Sequence, residues 1–190
     1  MMRKTMDAVK ERFGNQVIVG AEVGVSNGIH ATHILQNMPN VKLLYLVDPY
    51  LEGSIWESHK GPTKQRILEA TKTATKQKMS PFTNRTQWIY KQFEECTVKD
   101  IPESLDFVYI DGNHAYEHVS KDIALAAQLV KKGGVIGGHD AGSLGIERAV
   151  KEFCEAKQIK RQGANNGEYM VHGVLKCQGW DWWLINAYSL

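Results

Sequence analysis

Four side chains at the ends of two apolar runs carry most of the chemistry in this sequence. The run Leu105–Ile110 stops abruptly in Asp111-Gly112-Asn113-His114. A second run, Gly133-Gly134-Val135-Ile136-Gly137-Gly138, leads into His139-Asp140. Asp111 and Asp140 are hard oxygen donors of the kind Mg²⁺ takes while keeping positions for water or a substrate oxygen. His139 is a nitrogen donor, better suited to Mn²⁺, Fe²⁺ or Zn²⁺. An imidazole titrates near neutrality, so His114, three residues after Asp111, is equipped to accept a hydroxyl proton. For these groups to meet, the two runs must be strands whose ends share one edge of a parallel sheet, the place where open α/β folds bind ligands.

The rest of the chain supplies such a sheet. Met2, Met6, Val9 and Phe13 recur at helical spacing, and Gly14-Asn15 stops that helix before the β-branched run 17–23. A helix over 30–38 ends at Pro39-Asn40, and Val41–Val47 follows, completing a βαβ unit. A helix over 63–78, a short strand at 87–90 and the strand 105–110 continue the alternation. Val119, Ile123, Ala127 and Val130 stripe the next helix, with Lys131-Lys132 in its last turn and Gly133 as its left-handed cap. Strand 135–138 and a helix over 146–156 follow. Segments 168–176 and 182–187, joined through Cys177-Gln178-Gly179-Trp180-Asp181, read as a terminal antiparallel hairpin. The expectation is a doubly wound, mostly parallel α/β domain with helices on both faces, spanning 1–190 as one domain.

Composition sets the bounds. A chain of 190 residues with 43% hydrophobic content fills one core. Lys and Arg number 23 against 21 acids, a net charge of +2, and no aromatic-basic recognition motif is present; both argue against a nucleic-acid partner. Cys96, Cys154 and Cys177 form no CxxC and leave an odd thiol, which points to a reducing, cytoplasmic setting. The amino terminus lacks the apolar core of a signal peptide, and no run approaches the ~20 apolar residues of a membrane span. A homo-oligomer is left open.

The turn after the first strand reads Glu22-Val23-Gly24-Val25-Ser26-Asn27-Gly28. Glycines there let the backbone approach a ligand. Gly24 and Gly28 are separated by three residues with no third glycine, a poor match to the GxGxxG of a dinucleotide site, so a smaller nucleoside ligand fits better. Asp48 ends the second strand about 20 residues on, where an acid can accept both ribose hydroxyls. The plainer alternative is a tight turn and a solvated strand end.

Taken together, the glycine loop, Asp48, Asp-Gly-x-His at 111–114 and Gly-Gly-x-x-x-x-His-Asp at 133–140 resemble the class I S-adenosylmethionine-dependent methyltransferases. More narrowly, they are similar to the small-molecule O-methyltransferases that include the catechol and macrolide-sugar enzymes. The resemblance implies a Rossmann-like seven-stranded sheet. It also implies that Glu22, Gly24 and Gly28 flank the methionine moiety, that Asp48 binds the ribose, and that Gln92 and Phe93 lie nearest the adenine. It places a divalent metal, Mg²⁺ or Mn²⁺, on Asp111, His139 and Asp140, with His114 as general base and a small hydroxylated molecule, a sugar or phenol, as acceptor. His139 departs from the usual Asp-Asp or Asp-Asn pair and puts the metal's identity in question.

Rival readings are a nicotinamide-dependent oxidoreductase, disfavoured by the missing third glycine, and a non-catalytic nucleoside-binding module, disfavoured by polar groups kept at two strand tips. RNA methylation is weaker still. Tyr50, Trp56 and His59 are candidate walls for an acceptor. Lys60, Lys64, Arg66, Lys72, Lys76 and Lys78 read as a solvated helix face, His30 and His33 as polar surface, and Trp180, Trp182 and Trp183 as packing for the hairpin or an oligomer contact. Asn113 is expected to shape its turn.

Overall fold

The computed structural model describes residues 3–51, 62–159, 176–178 and 180–187. The expectations for Trp56, His59, Lys60, the Lys64 side chain and the strand before residue 176 lie outside the described residues. Among the described residues, five α-helices and seven strands follow in the order α1 (Lys4–Phe13), β1 (Ile18–Val23), α2 (Ile29–Asn37), β2 (Val41–Val47), α3 (Pro62–Lys78), β3 (Thr86–Ile89), β4 (Leu105–Ile110), α4 (Tyr116–Leu129), β5 (Val130–Gly138), α5 (Leu144–Ala156), β6 (Lys176–Gln178) and β7 (Asp181–Ile185). The strands form one sheet in the order β3-β2-β1-β4-β5-β7-β6. The first five are parallel; β7 runs antiparallel to β5, and the three-residue β6 edges it. No helix among the described residues is long and apolar enough to cross a membrane.

Every residue of β1 and β4 is buried, as central parallel strands require when helices cover both faces. Alternation sends their side chains two ways. Ile18, Phe107 and Tyr109 pack with Met6, Val9, Ala31, Ile34 and Leu35 of α1 and α2. Val19, Ala21, Leu105, Val108 and Ile110 pack with Val119, Ile123, Ala149 and Val150 of α4 and α5. Gly20 is a glycine for want of space: a Cβ there would lie 2.2 Å from the Phe107 ring. Arg85 locks the far edge, its guanidinium donating to Val41 O (2.9 Å), Leu35 O (3.0 Å) and Met38 O (2.8 Å). It thereby satisfies two carbonyls left over where α2 ends and one at the start of β2.

Strand order reverses between β1 and β4, which opens a crevice at their carboxyl ends. Backbone bonds extend the ladders one residue past each strand. Gly24 N–H donates to Val47 O (2.9 Å), Asp48 N–H to Ile89 O (3.1 Å), Asp111 N–H to Val23 O (2.8 Å) and His139 N–H to Ile110 O (3.1 Å). The sheet itself therefore aligns Gly24, Asp48, Asp111 and His139 in one row.

Two expectations are corrected. Lys131, Lys132 and Gly133 do not close a helix: α4 ends at Leu129, and the three residues lie in β5, where pairing with β4 jumps from Leu105↔Val130 to Phe107↔Val135. The cause is Asp106, a buried carboxylate whose Oδ2 accepts Val19 N–H at 2.7 Å and whose other oxygen pairs with Lys131. Asn186 caps α4 instead, donating to Ala127 O (3.1 Å) and Val130 O (2.6 Å). Asp181, expected in a connection, opens β7 and is 3% exposed.

Candidate functional site

The glycine loop is strained towards the crevice. Gly24 has φ 83°, and a Cβ there would stand 2.1 Å from Asp111 O, so only glycine fits. Ser26, Tyr50 and Asp140 also sit at positive φ, three of four such non-glycine residues among those described; strain of this kind persists where surrounding structure enforces it. Asp48 does the enforcing on one side. Its Oδ2 accepts Ser26 N–H and its Oδ1 accepts Tyr50 N–H, both at 2.8 Å. The Tyr50 hydroxyl (2.6 Å) and the Thr75 hydroxyl (2.9 Å) donate back to Ser26 O. Asp48 is therefore no solvated strand end, and burial pushes its carboxyl up despite these donors.

Gly24, Asp48, Gln92, Phe93 and Asp111 line one pocket together with Tyr50. Phe93 is also core, 2% exposed. The Gln92 side chain caps a short 3₁₀ turn over Phe93–Glu95. Gly28 stands apart from that pocket: it is the N-cap of α2, and a Cβ there would lie 2.7 Å from Thr75 Cγ2. Glu22 belongs to an adjoining cavity that it lines with Arg3, His30, His33 and Asp111. The Glu22 carboxylate is 1% exposed and burial pushes its pKa up. Its Oε1 lies 3.3 Å from His30 Nδ1, whereas Oε2 has no partner among the described residues. His30 is thus not polar surface; its ring also packs on Tyr109 at 4.3 Å between centroids.

At the tips of β4 and β5, one ligand atom from each of Asp111, His139 and Asp140 lies within 4.8 Å of the others. His139 Nδ1 is 3.0 Å from Asp140 Oδ1 and 3.9 Å from Asp111 Oδ1. His114 Nε2 is 3.4 Å from Asp140 Oδ2 and 3.7 Å from Asp111 Oδ1. The hydrogen bond to Asp111 raises the His114 pKa against the opposing effect of burial, and both carboxylates add to the rise. Two carboxylates and an imidazole, all part-exposed, form a donor set that fits a borderline divalent ion such as Mn²⁺ as well as Mg²⁺. Asn113 shapes the turn as expected, its Oδ1 accepting Ala115 N–H at 2.9 Å.

Several groups at the site carry no clear signal in the sequence. Arg3 reaches in from ahead of α1, its Nη2 3.9 Å from Asp111 Oδ2. Glu94, His118 and Asp122 complete the first pocket. His118 Nδ1 lies 2.9 Å from Glu94 Oε2, and Lys121 Nζ lies 3.0 Å from Glu94 Oε1. Asp122 is 5% exposed, and burial, aided by the Glu94 charge, pushes it up to about 7. One signal for it existed: an acid on the apolar stripe of α4, between Val119 and Ile123. Lys72 is not merely solvated; it stands 3.5 Å over the Tyr90 ring, and its charge opposes the upward push that burial gives Asp48. The tryptophans divide, with Trp182 and Trp183 buried and Trp180 64% exposed.

Comparison with known proteins agrees with this geometry. A family described as a methyltransferase domain matches residues 21–141. The O-methyltransferase NovP has a similar structure, with TM-score 0.66 and 15% identity over 97% of this chain and 78% of that one. CalS11, a TDP-rhamnose 3'-O-methyltransferase of calicheamicin biosynthesis, aligns with TM-score 0.58 and 14% identity over 96% of this chain and 77% of that one. A Streptococcus mutans protein solved in complex with SAH aligns with TM-score 0.57 and 12% identity over 97% and 99% of the two chains. No curated protein sequence matches significantly. The matched stretch takes in the glycine loop, Asp48 and both strand tips as far as Ala141, and the chain belongs to the methyltransferase domain family, with the class I fold of S-adenosylmethionine-dependent enzymes.

Proposed function

We propose that this enzyme methylates a hydroxyl of a small molecule, a sugar or phenol, using S-adenosylmethionine and a divalent cation, Mg²⁺ or Mn²⁺. The observation that carries the reading is the meeting of His114 Nε2 with Asp111 and Asp140 beside the pocket that Gly24 and Asp48 line. Asp48 is held by the backbone N–H groups of Ser26, Tyr50 and Val25 and lines the pocket, where its carboxylate is placed to accept ribose hydroxyls as well. Glu22 and Gly24 border the methionine end, Gly28 sets the start of α2 behind them, and Gln92 and Phe93 border the adenine end. Asp111, His139 and Asp140 are the residues that would hold the cation. When bound, the cofactor would supply a methyl group to the acceptor oxygen, its S–CH3 bond breaking to leave S-adenosylhomocysteine, and the cation would make the acceptor hydroxyl more acidic. His114 Nε2, 3.7 Å from Asp111 Oδ1 and 3.4 Å from Asp140 Oδ2, is placed to accept the hydroxyl proton.

The test begins with metal-stripped protein titrated with S-adenosylmethionine in a calorimeter, NAD serving as control. One-to-one binding that Asp48→Ala weakens is expected, and preference for NAD would overturn the cofactor assignment. Transfer is then assayed on sugars and phenols with Mg²⁺, Mn²⁺ or chelator, with a structured RNA beside them. Metal-dependent transfer to a small hydroxylated acceptor is the expected result; transfer to RNA alone would overturn the acceptor class.

A further inference from the structure

His139 presents its two ring nitrogens to opposite surroundings. Nδ1 faces the carboxylates of Asp140 and Asp111 at 3.0 and 3.9 Å, while Nε2 faces Asp181 Oδ1 at 4.0 Å. Asp181 enters from β7, on the opposite side of β5 from the β4 tip. A carboxylate 3% exposed is costly to bury and needs partners. One oxygen has a good one: Oδ2 accepts Thr5 N–H in the first turn of α1 at 3.0 Å. The other is under-served, reached by the Tyr109 hydroxyl at a long 3.4 Å. A shift of the imidazole by about 1 Å would bring Nε2–H into hydrogen-bonding range of that oxygen.

We infer that Asp181 is a positioning residue for the metal centre. It takes the Nε2–H of His139, fixes the tautomer with Nδ1 unprotonated and aims Nδ1 at the space between Asp111 and Asp140. Ligating histidines are commonly oriented by a carboxylate on their second nitrogen, and losing that carboxylate typically costs 10–100-fold in metal affinity. This inference rests on the metal reading above and adds to it: the His139 nitrogen is an intended ligand, and the residue that makes it one comes from the terminal hairpin.

Asp181→Asn tests it, because an amide has one oxygen and cannot serve both Thr5 N–H and His139 Nε2–H. With the amide oxygen held by Thr5, its NH₂ turns to the imidazole and favours the wrong tautomer. Calorimetric titration with Mn²⁺ should show a dissociation constant about 10–100-fold higher than in unmodified protein. S-adenosylmethionine affinity should stay within about twofold and Tm within a few degrees. In a His139→Ala background the same substitution should change Mn²⁺ affinity no further. Unchanged Mn²⁺ affinity in Asp181→Asn, or an equal loss in the His139→Ala background, would overturn the inference while leaving the metal centre standing. Should Asp181→Asn not fold, unmodified protein loaded with ¹¹³Cd²⁺ decides by NMR: coupling to His139 Nδ1 with a proton kept on Nε2 supports the inference, and ligation through Nε2 overturns it. If unmodified protein takes up neither Mn²⁺ nor Cd²⁺, the metal reading itself falls.

Discussion

Asp48 and Ser26, 22 residues apart, are joined by a 2.8 Å hydrogen bond from the Ser26 N–H to the Asp48 carboxylate, so the acid assigned to the cofactor also holds the loop that would receive it. Substitution should therefore damage binding and loop order together. Charge-assisted bonds contribute about 1.5–3 kcal/mol each, and Asp48→Ala should weaken S-adenosylmethionine about 10–100-fold. Calorimetry measures the first effect. Faster amide exchange at Ser26 and Tyr50 reports the second.

His114→Ala should lower kcat by about 10²–10⁴-fold, the usual span for removing a general base, and leave S-adenosylmethionine affinity unchanged. Single-turnover rates at pH 7 with saturating cofactor check this. Turnover equal to that of unmodified enzyme would remove His114 from the chemistry.

Asp122 predicts a pH-dependent stability. Its folded pKa of about 7 lies above the ordinary value of 3.8, so the neutral form is the one the fold favours. That contribution is fully present below about pH 4 and is lost as pH rises through about 7, at up to roughly 1.4 kcal/mol for each pH unit crossed between the two values. Asp122→Asn keeps a neutral side chain at every pH. Its Tm relative to unmodified protein should rise from pH 5 to about pH 7 and level off above that, and a constant difference from pH 5 to pH 7 would show that Asp122 does not titrate in this window.

Arg85→Ala should cost about 2–3 kcal/mol in urea unfolding, since it strips a charged donor from three backbone carbonyls. Arg85→Lys should recover less than half of that, because an ammonium cannot reproduce the planar fork. Neither change should alter cofactor affinity, Arg85 lying at the other end of the strands from Asp48 and Asp111.

The parallel sheet was legible because its strands are short apolar runs with marked ends: Val41–Val47 and Leu105–Ile110 are the observed strands to the residue. Asp48, Asp111, His139 and Asp140 were legible for the same reason, standing one or two positions past those ends. What failed was local pattern overridden by distant partners. Lys131-Lys132-Gly133 has the make-up of a helix end, yet Asp106 and Asn186 draw that segment into β5. His30 sits on a short helix with no visible companion, and only folding brings Glu22 and Tyr109 against it. Asp181 looked like turn chemistry because nothing within ten residues of it names Thr5 or His139 as its neighbour.

The bond from Thr5 N–H to Asp181 spans 176 positions of sequence. At about 5–20 residues per second, a ribosome needs roughly 10–35 s to make the stretch between them. Throughout that time the first turn of α1 lacks its acceptor, and for roughly the last 2–9 s of it the newly made β5 is an open strand edge, because β7 is the strand that covers it. Open edges invite pairing with other chains, so the nascent protein has an interval in which a chaperone would matter most, and it ends only when the last strand emerges.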